Sequence, residues 1–221
     1  GDKLIKNTDI PVLEEQNPLL GQRAIRLTLA YKSLFKRQLR ALYRASIYGN
    51  LRIMIPLVTH LAQIKETMDL ISEVKEELLE EGIPFNKDIP IGIMVETASA
   101  AVMADKFSKN VDFFSIGTND LTQYVLGIDR ENPAVAPLYD EKNIAVLRLI
   151  KYTVESAEKT GIPVTVCGEM AGNPETALIL VGLGVTGLSM APVRIGAVKA
   201  ALANHTYAEL KNLVESIMTA E

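Results

Sequence analysis

Three side chains suited to phosphate chemistry sit within the stretch Asp112 to Arg130, DFFSIGTNDLTQYVLGIDR. Asp120 offers hard carboxylate oxygen of the kind Mg²⁺ takes. Asn119, beside it, offers a neutral donor and acceptor. Arg130, ten residues on, offers a planar cation that fits phosphate or carboxylate. The apolar run Val111 to Ile116 ahead of them reads as a buried strand. At Gly117-Thr118-Asn119-Asp120 that packing gives way to polar groups. A metal-binding carboxylate, an amide and an arginine so placed point to phosphoryl chemistry.

Other candidates have two readings each on their own residue types. Glu96 ends the apolar run IGIMV and is either a metal ligand or a charge favourable to a helix N-terminus. Asp120 itself has the alternative of a helix cap or turn residue. Cys167, the sole thiol, is either a small buried hydrophobe or a reactive group. Arg23, in NPLLGQR, is an ordinary arginine of a helical region when read alone. His60 follows a strand and reads as a loop or surface residue.

These residues need elements to hold them. Leu51–Val58, Ile89–Val95, Val111–Ile116, Pro163–Cys167 and Gly187–Met190 read as strands. Ile64, Met68, Ile71, Val74 and Leu78 mark one face of a helix that Gly82 and Pro84 end. A short Ala-rich helix follows from about Ser99, a longer one covers Asn143–Lys159, another starts near Pro174, and two more fill the C-terminal stretch. Leu29–Tyr48 reads as a basic amphipathic helix, preceded by an extended piece at Ala24–Leu27. Alternating strands and helices imply a parallel sheet covered by helices. Glu96, Asn119 with Asp120, and Cys167 all fall at the C-terminal ends of different strands. That favours an α/β, TIM-type (β/α)8 barrel over a doubly wound sheet, since no GxGxxG turn is present. Five strands against eight make the barrel incomplete in this chain.

The 221 residues read as a single domain over 1–221, with 48% hydrophobic and 23% charged residues. Net charge of −4 gives no support to nucleic-acid binding. No apolar run approaches the roughly 20 residues of a membrane span. One cysteine and two distant histidines exclude an intrachain disulfide and a zinc pattern, and fit a cytoplasmic location.

The Asp112–Arg130 stretch resembles the signature of the phosphoenolpyruvate-utilising enzymes. Supporting motifs follow in order: GDK at Gly1–Lys3, NPLLGQRAIR at Asn17–Arg26, LRIMIPLV at Leu51–Val58, GIMVET at Gly92–Thr97 and VTVCGEMAG at Val164–Gly172. The wording is most similar to the C-terminal domain of enzyme I of the bacterial sugar phosphotransferase system.

The resemblance implies a homodimeric barrel that passes phosphate from phosphoenolpyruvate to a histidine on an N-terminal domain, with a phosphocarrier protein downstream and pyruvate as product. By the same resemblance Glu96 and Asp120 hold Mg²⁺. Arg23, Asn119, Asp120 and Arg130 bind substrate, Lys3 matches only the three-residue GDK motif, and Cys167 is the acid/base group. A thiol with a reference pKa of about 8.5 is mostly protonated at neutral pH and can protonate the enolate left when phosphate departs. In the family, two strands that each carry a substrate-binding arginine precede GDK. The isolated chain is therefore expected to be inactive. Two alternatives stand beside this reading: the C-terminal domain of a phosphoenolpyruvate synthase or pyruvate phosphate dikinase, and an inactive folding or dimerisation fragment.

Overall fold

The computed structural model describes residues 15–220. They form two compact units with the boundary between Ile91 and Gly92.

The first unit opens with a 3-10 turn, Pro18–Leu20, then helices α1 (Ala24–Ala30) and α2 (Lys32–Ala45). A second 3-10 turn, Ser46–Tyr48, leads to strand β1 (Ile53–Ile55) and helix α3 (Leu61–Glu80). Phe35, Leu39 and Tyr43, four residues apart, form the buried stripe of α2. Ile64, Ile71, Val74 and Leu78 form that of α3, as the sequence spacing requires. Lys32 pairs with Glu66, Lys36 with Glu73 and Glu77, and Arg40 with Glu81. Exposed pairs of this kind contribute little each, and they fix the pairing of the two helices more than their stability. His60 is exposed and precedes α3, where Gln63 Oε1 accepts its backbone N–H at 3.1 Å.

Two sequence readings are corrected in this unit. Ala24–Leu27 is helical, not extended. Only Ile25 and Leu27 are buried in this seven-residue helix, and that alternation mimics a strand. The helix expected over Leu29–Tyr48 is interrupted at Tyr31, whose backbone leaves the helical region at φ −118°, ψ 64°. β1 is also shorter than the apolar run around it, because Pro56 cannot donate to a ladder.

The second unit carries the parallel sheet. Strand β2 (Ile91–Val95) is followed by α4 (Ala98–Val102) and α5 (Ala104–Phe107). Strand β3 (Phe113–Gly117) runs directly into α6 (Thr118–Leu126). After a 3-10 turn at Ala136–Leu138 come α7 (Ile144–Glu158) and β4 (Val164–Cys167). The short α8 (Glu169–Gly172), α9 (Pro174–Gly182) and β5 (Gly187–Ser189) follow, then α10 (Pro192–Ala203) and α11 (Tyr207–Thr219). β2, β3, β4 and β5 pair in chain order, every pair parallel. All five residues of β3 are buried, as a strand covered on both faces must be. The architecture is α/β of the TIM-barrel kind, with five strands among the described residues. Helix starts are set by side chains: Asn143 accepts the Ala145 N–H, Asn173 accepts the Glu175 N–H ahead of Pro174, and Thr206 and Glu209 form a capping box.

Candidate active site

Parallel strands in register bring their C-terminal ends to one side of a sheet. Val95 faces Ile116, and Gly117 faces Cys167. The next residue after Val95 is Glu96, so Glu96, Gly117 and Cys167 form one row across three neighbouring strands. Gly117 leaves the space that allows this. A Cβ there would lie 3.0 Å from Glu96 Cβ and 3.1 Å from Glu96 Oε2. Glu96 and Asp120 are both buried, at 6% and 7% exposure.

Asp120 occupies the first turn of α6, where a carboxylate is favoured by the helix dipole. Its Oδ1 accepts a 2.7 Å hydrogen bond from Arg130 Nη1. The chain returns Arg130 to this place by two devices. Gly127, at φ 65°, ends α6 in the left-handed conformation that glycine adopts without cost. Gln123, buried one turn after Asp120, accepts the Arg130 backbone N–H through Oε1 at 3.2 Å. Asp120 and Arg130 are thus brought together as the signature spacing suggested, while Gln123 was in the stretch but given no role.

Asn119 is held from both sides. Its Oδ1 accepts the Glu169 N–H at 2.9 Å, and its backbone carbonyl accepts the Tyr139 hydroxyl at 3.2 Å. With the oxygen engaged, the side chain presents its amide protons. Gly168 makes the approach possible. At φ 136° it has a backbone that side chains rarely allow, and a Cβ there would fall 2.3 Å from Thr118 Oγ1 and 2.8 Å from Asn119 Oδ1. Asn119 opens onto a cleft of about 620 Å³ whose lining includes Glu141, Glu169, Asn173, Met190 and Arg194. Burial, then the neighbouring charges of Glu169 and Asp140, push the Glu141 carboxyl up. Tyr139 is also pushed up, chiefly by burial.

Cys167 is half-buried, and Ser115 Oγ donates to its Sγ at 3.3 Å. Burial raises the thiol pKa above its ordinary value; Ser115 opposes the rise, and the charges of Glu96 and Asp120 add to it. The thiol is therefore kept protonated through neutral pH. Ser115, Gln123, Tyr139, Gly168 and Glu169 are the contacts that sequence reasoning did not assign. All but Tyr139 lie inside the quoted motifs, but their partners come from other elements.

Arg23 lies in the first unit as the N-cap of α1, extended at φ −132°, ψ 168° and followed by Ala24 at φ 50°. The neighbouring Arg26 is structural: its Nη1 donates to the Leu20 carbonyl at 2.6 Å and the Gly21 carbonyl at 3.2 Å. Lys3 lies outside the described residues. Among the described residues no group of three or more His, Cys, Asp or Glu gathers as a metal cluster. None of their helices is long and apolar enough to cross a membrane.

Comparison with known proteins gives a consistent result. A phosphoenolpyruvate–protein phosphotransferase of Geobacillus stearothermophilus is 46% identical over 224 residues, covering 100% of this chain and 38% of the relative. That of Bacillus subtilis (strain 168) is 45% identical over 219 residues, covering 99% and 38%. The chain therefore spans about two fifths of the length of these relatives. The crystal structure of a citrate lyase from Burkholderia xenovorans LB400 superposes with a TM-score of 0.57 at 20% identity, covering 84% of this chain and 58% of that one, a likeness of fold. Residues 1–207 match the family described as PEP-utilising enzyme, PEP-binding domain. The row of polar groups at the strand ends lies within that match, and the chain belongs to the PEP-utilising enzymes.

Proposed function

We propose that this chain is the phosphoenolpyruvate-binding catalytic domain of a phosphoenolpyruvate–protein phosphotransferase, as its relatives are named. The phosphoryl group leaves phosphoenolpyruvate for a histidine on another domain, and pyruvate remains. The observation that carries this reading is the convergence of Glu96, the Asp120–Arg130 pair and Cys167 at the ends of adjacent parallel strands.

The donor set fits Mg²⁺. Glu96 and Asp120 supply two buried carboxylates at the ends of neighbouring strands, and Arg130 pairs with Asp120. Two protein carboxylates with room for substrate and water are what Mg²⁺ prefers. When bound there, Mg²⁺ would neutralise charge on the substrate. Arg130 and the Asn119 amide protons hold the phosphoryl oxygens, and the work is positioning and electrostatics. Cys167 delivers a proton to the terminal carbon of the enolate. A homodimer, a histidine-bearing N-terminal domain, a phosphocarrier protein and a cytoplasmic location belong to this proposal.

The test is a mutant enzyme assayed in two ways. Cys167→Ser should bind phosphoenolpyruvate as the parent does but form pyruvate far more slowly, since a serine hydroxyl is a much weaker acid. Normal pyruvate production by Cys167→Ser would refute the role.

A further inference from the structure

Ser115 sits in the middle of β3, buried at 6% exposure, and has no part in holding phosphate or metal as drawn above. Its register partner on β4 is Thr165, one step below the facing pair Gly117 and Cys167. Side chains two residues apart on a strand share a face. Ser115 therefore lies on the face of Cys167, one step deeper on the neighbouring strand, and its hydroxyl reaches across to the sulfur at 3.3 Å.

A cysteine side chain turns about one bond, so a single hydrogen bond to sulfur selects its direction. The need for that bond grows during the reaction. As the enolate is protonated, the S–H bond breaks and its electron pair stays on sulfur. The C2=C3 pair of the enolate forms the new C3–H bond, C2–O becomes the carbonyl, and water later restores the thiol. Negative charge thus develops on the sulfur that the Ser115 hydroxyl already faces at 3.3 Å. Donors aimed at developing charge are worth more than those to neutral groups.

We propose that Ser115 is a positioning residue for Cys167: its hydroxyl fixes the direction of the sulfur and donates to it as it becomes thiolate. This rests on the reading of Cys167 as the proton donor.

Ser115→Ala and Ser115→Thr test it by two readouts. In the full-length protein that carries this domain, alkylation by iodoacetamide read at the Cys167 peptide reports on this thiol, the one cysteine of these 221 residues. Ser115→Ala should slow alkylation several-fold at pH 8.5 and lower kcat for pyruvate formation roughly tenfold, the loss of about one hydrogen bond, with KM for phosphoenolpyruvate unchanged. Ser115→Thr, which keeps the hydroxyl on a β-branched side chain suited to a strand, should restore both. It also keeps the test open if the alanine variant folds poorly. Unchanged alkylation and kcat in Ser115→Ala, beside a crippled Cys167→Ser, would overturn the proposal while leaving the role of Cys167 intact. Normal rates in both variants would overturn the reading beneath it as well.

Discussion

Arg130 Nη1 donates to Asp120 Oδ1 at 2.7 Å, so the guanidinium proposed for phosphate and the carboxylate proposed for metal are paired with each other in this structure. Substrate and cation must share out what this pair now holds together. Arg130→Ala should therefore move two affinities in opposite directions. Removing the nearby positive charge should tighten Mg²⁺ binding. Losing a charge-assisted contact, worth about 1.5–3 kcal/mol, should weaken phosphoenolpyruvate roughly 10- to 100-fold. Calorimetric titration with each ligand separately measures both. A parallel loss of both affinities would contradict the opposition.

Gly168→Ala should damage fold and site together. A side chain at φ 136° is strained, and the added carbon would press on Thr118 Oγ1 and Asn119 Oδ1. Strain of this kind costs about 1–3 kcal/mol before the contacts are counted. The expected result is a loss of at least about 2 kcal/mol in denaturant unfolding.

Cys167 should react late on a pH scale. Burial favours the neutral thiol and lifts its pKa above the ordinary thiol value, with Glu96 and Asp120 adding to the rise. Alkylation should stay slow at pH 8 and climb only above the ordinary cysteine range. The sign for stability follows: this contribution is full below the unfolded pKa and is lost as pH rises through the folded one. A midpoint below pH 8.5 would contradict the burial account.

Tyr43 is the largest fully buried side chain of the first unit, edge-on to Phe85 with ring centroids 5.7 Å apart. Its hydroxyl has no hydrogen-bond partner among the described residues, and burial lifts its pKa to about 12. Tyr43→Phe removes that unpaired group and keeps the ring. It should leave stability unchanged or raise it by about 1 kcal/mol, as read by thermal melting.

Much of this arrangement was legible in the sequence because apolar runs and polar strand ends are local signals. Glu96, Asp120 and Cys167 stood out as polar groups after apolar strands, and register brings Glu96 and Cys167 into one row. What was not legible depended on partners distant in the chain. Ser115 reads as one small residue inside a strand until Cys167, 52 positions later, is seen at its hydroxyl. Asn119 reads as a free amide until the Glu169 N–H takes its oxygen, 50 positions away. Ala24–Leu27 misled for the opposite reason: two alternating apolar residues are too few to distinguish a strand from a short helix.

The central claim is that Glu96 and Asp120 form a Mg²⁺ site that serves phosphoenolpyruvate binding. Its most direct test is calorimetric titration of phosphoenolpyruvate, with and without Mg²⁺, into the full-length protein that carries this domain and into its Asp120→Asn variant. The account predicts binding that Mg²⁺ strengthens in the parent, with that strengthening lost and Mg²⁺ affinity reduced in the variant. Equal Mg²⁺ affinity and equal Mg²⁺ dependence in the two proteins would contradict it.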